Sequence, residues 1–183
     1  MQRSFHDFFE RHHRELARLG YLLTGDPDAA DDLAADALFE AWRSWARIRR
    51  ADSPIAYVRR ILVNIAGDRI KSLVRDRGRI EALGPFLVDR TEGPDVAAVV
   101  DIRDALQCLP LRKRACVVLR HAFDLSERET AEILGISVGT VKSQTSKGAA
   151  ELERLLAGRL EPLETRGPRG GEETAPGART PCH

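Results

Sequence analysis

Thr140, Ser143, Gln144 and Lys147 are the residues of this chain best suited to reading a nucleic acid. Glutamine presents a donor and an acceptor that match the major-groove edge of adenine, and lysine brings a point charge for phosphate. A second set, Arg60, Asn64, Gly67, Lys71 and Arg75, recurs at spacings that share one side of a helix. An amide and a glycine inside a basic face suit close approach to a phosphate backbone. A third set is acidic: Asp28, Asp31, Asp32, Asp36 and Glu40. No clustered Cys/His/Asp set and no glycine-rich phosphate loop accompanies them, so the chemistry is recognition rather than catalysis, with no metal and no cofactor expected. Cys108, Cys116 and Cys182 are odd in number and lack CxxC spacing, which argues against a disulfide framework or a zinc site. Cys116 lies in an apolar run and reads as a core residue.

The elements that must position the first set lie between Asp124 and Leu156. Ser126 with Glu129 spells a capping box, so a helix starts there. Gly135 can take the left-handed conformation that ends it, and Ser137 is a suitable N-cap for a second helix. In that second helix Val138, Val141, Thr145, Gly148, Ala149, Leu152, Leu155 and Leu156 share one face. Thr140, Ser143, Gln144 and Lys147 share the other. Two helices about a glycine turn, the second with a small, polar and basic outer face, spell a DNA-binding helix-turn-helix. An ordinary helical hairpin with a solvated face is the simpler reading of the same stretch.

The net charge of +1 conceals an asymmetry. Residues 1–42 hold four arginines against nine acids, and residues 43–79 hold eleven Arg and Lys against three acids. An acidic block beside a basic one points to two different partners, one of them polyanionic. A solvated helix face would look alike locally, but the excess of eight positive charges in the second block favours nucleic acid. No apolar run is long enough to span a bilayer, and the N-terminus lacks a signal peptide's apolar centre, so a cytoplasmic protein without membrane contact is expected.

In chain order, Phe5, Phe8, Phe9, His12, Leu16, Leu19 and Leu23 predict a first helix ending at the Gly25 turn. Asp26 and Pro27 begin a second, with Ala30, Leu33, Ala34, Ala37, Leu38, Ala41, Trp45 and Ile48 inward. A third runs from Pro54 to about Arg77, burying Val58, Ile61, Leu62, Ile65 and Ala66. Residues 80–98 are punctuated by Gly84-Pro85 and Gly93-Pro94 and read as a linker. Val99–Leu109 and Leu111 to about Phe123 predict two more helices, split by Pro110, before the helix-turn-helix. The segment 158–183 is rich in Gly, Pro, Glu and Thr and is expected to be disordered. The fold class expected is all-α, with small helical domains over 1–79 and 99–157.

This order of parts resembles an extracytoplasmic-function sigma factor of bacterial RNA polymerase. Three stretches carry the resemblance: DPDAADDLAADALFEAWRSW, SPIAYVRRILVNIAGDRIKSLVRDRGR, and LPLRKRACVVLRHAFDLSERETAEILGISVGTVKSQTSKGAAELERL. The resemblance implies a polymerase-docking set of Asp31, Asp32, Leu33, Asp36, Leu38 and Trp42. It implies a −10 set of Arg60, Asn64, Arg69 and Lys71, with Asn64 on an unstacked base. It implies a −35 set of Lys142, Ser143, Gln144 and Lys147, and a linker that threads toward the RNA exit path. The partners implied are core RNA polymerase through its β′ and β subunits, promoter DNA and, where the family uses one, an anti-sigma factor. Two departures stand out. Gln144 occupies a position where the family usually has arginine, and Ala34-Ala35-Asp36 replaces a bulkier run with glutamine and glutamate. A stand-alone regulator that binds an operator as a dimer, and a helical adaptor that binds only protein, are the rival readings.

Overall fold

A computed structural model describes residues 2–81 and 97–160, with side chains over 3–72 and 102–157. The expected linker and tail fall almost wholly outside these residues, as do Arg75 and Cys182 as side chains. All regular structure among the described residues is helical. The helices are α1 (Gln2–Thr24), α2 (Pro27–Arg43), α3 (Trp45–Ile48), α4 (Pro54–Glu81), α5 (Ala97–Cys108), α6 (Leu111–Val117), α7 (Glu127–Leu134) and α8 (Val138–Leu160).

The first unit forms because three apolar stripes meet. Leu16, Leu19 and Leu23 of α1 face Leu33, Ala34, Ala37 and Leu38 of α2, and Val58, Leu62 and Ala66 of α4 close the core. Each large side chain buried here contributes about 1.5–3 kcal/mol. The α1–α2 corner follows its local signals. Gly25 takes φ +74, and the Asp26 carboxylate accepts from the amides of Asp28 and Ala29 at 2.9 and 3.2 Å. The expected single helix to Ile48 instead breaks at Ser44. Trp45 still lies inward, as expected, and Phe5 and Phe8 pack on its ring with centroids 5.2 and 4.9 Å away. Phe9, expected in the same stripe, is exposed and stacks on His13.

The second unit is α5 to α8. Leu106, Leu109, Ala115, Val118, Leu119, Ile133 and Val141 are buried. The helix expected to run to Phe123 changes after Val117 into a π-helical turn, Val118–Ala122, and Asp124 follows at φ +50. Cys116 is fully buried, and burial pushes its thiol up to about 11. So little thiolate exists near neutral pH that iodoacetamide at pH 8 should leave Cys116 unmodified in the native protein and alkylate it in urea. Peptide mass spectrometry reads the difference, and rapid native alkylation would contradict the placement.

The two units touch along α1 and α4. Arg114 of α6 is 6 % exposed and reaches across to the end of α1, where its guanidinium donates to the Leu23 carbonyl. The same guanidinium donates to the carbonyls of Gln107 and Leu109, both at 2.9 Å. Phe123 lies between Arg18 and Arg59, whose guanidinium carbons sit 5.4 and 5.8 Å from its ring centroid. Arg59 is held in turn by Glu15. Gly67 was expected within the open basic face, but it is buried at this joint, where an added Cβ would meet Leu111 at 3.4 Å.

Candidate nucleic-acid interface

The helix-turn-helix closes as its local chemistry demands. The Ser126 amide donates to the Glu129 carboxylate at 2.8 Å and the Glu129 amide donates to Ser126 Oγ at 3.2 Å, completing the capping box. The Ser126 hydroxyl, which donates to the same carboxylate at 2.6 Å, and the Ser126 amide together hold the Glu129 carboxyl below the usual carboxylate range. Gly135 caps α7 at φ +63, and the Ile136 amide closes the turn onto the Ala131 carbonyl at 3.1 Å. Ser137 Oγ accepts from the Thr140 amide at 3.1 Å and starts α8. Val141 is fully buried, and Gly148 lets the helix lie against Val117, since a Cβ there would fall 2.6 Å from a Val117 methyl.

That seating leaves Lys142, Ser143, Ser146 and Lys147 exposed and Thr140 and Gln144 half-buried. Lys142 stands at the flank, 3.9 Å from Glu127. Ser143 Oγ donates to the Thr140 carbonyl at 3.1 Å. Gln144 thus sits at the edge of the outward face, with Ser143 and Lys147 nearer its middle.

On α4, Arg60 and Asn64 are exposed on one side. The Arg60 guanidinium lies beside Gly135, at the carbonyl end of α7, where the helix dipole favours a cation. Arg69 pairs with Asp36 and stands 3.9 Å from Asp32, so it links α4 to α2. Lys71 pairs with Asp68 of its own helix at 3.2 Å. The structure therefore brings Arg60, Asn64 and Lys71 onto the exposed side of α4 and turns Arg69 toward the acids.

Along α2 the docking set divides. Asp31, Asp32, Asp36 and Trp42 are exposed, whereas Leu33 and Leu38 are core residues at 0 and 4 % exposure. Leu33 and Leu38 accordingly pack into the core of this unit. The exposed apolar side chain on this face is Phe39, 56 % exposed, its ring 6.0 Å from that of Trp42. Sequence reasoning passed it over. Its signal is a large apolar residue at helical spacing from Asp32 and Asp36, on the acidic side of the helix.

Residues 8–77 match the family described as Sigma-70 region 2, and residues 100–152 match Sigma-70, region 4. Over 154 residues the chain is 34% identical to the ECF RNA polymerase sigma factor SigM of Mycobacterium tuberculosis, covering 84% of this chain and 77% of the relative. The chain belongs to the ECF sigma factors. This sigma factor is also similar to the RNA polymerase sigma-E factor of Streptomyces antibioticus, 36% identical over 145 residues, with 79% of this chain and 76% of the relative covered. Among solved structures it is similar to the sigma factor RpoE of Bartonella quintana in complex with the anti-sigma factor NepR, at TM-score 0.68 and 25% identity, covering 87% of this chain and 99% of that one. As a sigma factor it directs promoter-specific transcription, and the region 2 match contains α2 and most of α4 while the region 4 match contains α7 and the first part of α8. None of its described helices is long and apolar enough to cross a membrane.

Proposed function

We propose that this ECF sigma factor docks on core RNA polymerase through the exposed face of α2, reads and holds the melted −10 element with α4, and reads the −35 element with α8. The observation that carries this is the division of labour on one chain. An acidic face with two exposed aromatic rings lies on α2, a basic face with a central amide on α4, and a helix-turn-helix with a small polar outer face at α7–α8. Exposed aromatics flanked by charge suit a protein partner, and the basic face suits a polyanion. Residues 1–79 and 99–157 would be the two working domains, joined by 80–98. The chain itself is not an enzyme in this reading: it positions and melts promoter DNA, and the polymerase forms the bonds. That partner places it in the cytoplasm. An anti-sigma protein is a further partner class, supported by the likeness to RpoE held by NepR. Run-off transcription with core polymerase and a promoter library tests the whole assignment. Tight operator binding without polymerase, and no transcript with it, would favour a stand-alone regulator.

One residue makes the −10 role specific. Asn64 is exposed, and its amide suits the edge of an unstacked base. Asn64→Ala is expected to leave polymerase binding unchanged and to lower open-complex formation roughly tenfold, the scale of one lost base contact. Permanganate reactivity of −10 thymines reports it, and equal reactivity in variant and parent rules the role out.

A further inference from the structure

The outward face of α8 begins with a residue that the fold does not ask for. Gly139 is exposed and lies within the helix. Among the described glycines, only Gly25 and Gly135 have positive φ, so no left-handed backbone requires glycine at 139. Packing does not require it either. A Cβ built there meets only Ser137 Oγ, at an ordinary 4.0 Å, whereas one built at Gly148 would collide with Val117. Gly139 is only the second residue of α8, directly after the Ser137 cap, so glycine there carries little of its helix-interior penalty, yet it brings no return inside this chain.

The return lies outside it. Gly139, Ser143 and Lys147 follow one another at single-turn spacing, so they form one line along the exposed side of α8. Ser143 and Lys147 belong to the face proposed to enter the major groove. The missing side chain therefore clears the leading end of that face. We propose that Gly139 is a positioning residue of the −35 interface: its bare backbone lets the start of α8 seat against duplex DNA closely enough for Ser143, Gln144 and Lys147 to reach base edges. A methyl group at this point lifts the helix by about an ångström. That is enough to stretch hydrogen bonds of about 2.9 Å toward the limit of useful contact. The proposal rests on the −35 reading of α8 and adds to it a residue with no polar group of its own.

The test compares holoenzyme reconstituted from core polymerase and full-length chain on two duplex promoters. One carries a −35 element selected from a random library, and the other has that element scrambled. Gly139→Ala should lower the ratio of the two affinities roughly tenfold, the size of a lost good base contact, and Gly139→Leu should lower it further. At the same time Gly139→Ala should leave the thermal midpoint of the free chain no lower than the parent's, because an added Cβ meets nothing closely. A purely structural role would not lower the ratio while leaving the midpoint intact. An unchanged ratio in a folded Gly139→Ala protein would overturn the proposal, and so would a variant that is destabilised, because the glycine would then serve the fold. Gln144→Ala and Lys147→Ala separate the two levels. If they too leave the ratio unchanged, the −35 reading of α8 itself fails. If they lower it and Gly139→Ala does not, only the role of Gly139 fails.

Discussion

Charge reversal at both acids, Asp32→Arg with Asp36→Arg, is expected to abolish co-purification with core RNA polymerase, a loss of about a hundredfold or more. The two carboxylates are exposed on the face of α2 that also carries Phe39 and Trp42. Like charge set against a partner surface costs several kcal/mol per interface, whereas the neutral pair Asp32→Asn with Asp36→Asn should lose only part of the affinity. The fold should survive. Both acids pair with Arg69 near solvent, and exposed pairs contribute less than about 1 kcal/mol each. The thermal midpoint of the free chain should therefore fall by a few degrees at most. A pull-down with core polymerase, read beside circular dichroism, decides the matter. A folded double variant recovered with polymerase at normal yield would show that α2 docks elsewhere or not at all.

The largest loss of stability is expected from Arg114→Ala. The guanidinium is buried at the joint between the two units and serves the carbonyls of Leu23, Gln107 and Leu109 together with the Gln107 side chain. Burial lowers its pKa to about 10, so the cation persists at neutral pH and its hydrogen bonds are charge-assisted. Alanine leaves those acceptors without a donor in a largely buried interface, at about 1–3 kcal/mol for each group left unpaired, and a total of about 3–5 kcal/mol is expected. Arg114→Lys should recover less than half of this, because an ammonium on a flexible stem cannot span a fork of acceptors. Urea denaturation of the three proteins measures it. A cost below about 1 kcal/mol for alanine would mean that water replaces the guanidinium without penalty.

What could be read in the chain was local. The capping box at Ser126, the left-handed Gly135 and the Asp26 cap each involve residues three or four apart, and each stands where its residue types place it. The core stripe of α4 was legible for the same reason: Val58, Leu62 and Ala66 recur at helical spacing and are fully buried. Less legible was which exposed side chains share a face. Leu33 and Leu38 were placed inward by their spacing and are buried, although the resemblance also set them in the docking motif. Phe39, outside every predicted stripe, is exposed beside Trp42. Gly67 fits the basic side by spacing, yet a second unit covers it. Long-range pairing was not legible at all. The Arg69–Asp36 pair joins residues thirty-three positions apart, and Arg114 meets a carbonyl ninety-one positions away. Nothing in local composition encodes such meetings.

The contact between Arg60 and the Gly135 turn sets a limit of length. Under the proposed assignment, α4 and α8 read promoter elements roughly 25 base pairs apart, or about 85 Å along B-form DNA. Here α4 and the turn that leads into α8 are in side-chain contact. Residues 82–96, even fully extended, reach only about 50 Å, so the bodies of both units must make up the remainder. The packed chain is thus too short a ruler for its own promoter. Under that assignment, spanning the two elements requires the joint at Arg114 and Phe123 to part, so the promoter-bound protein gives up contacts that hold the free one together. Any substitution that tightens this joint lengthens the climb to the DNA-bound arrangement, and stability and promoter occupancy pull on it from opposite ends.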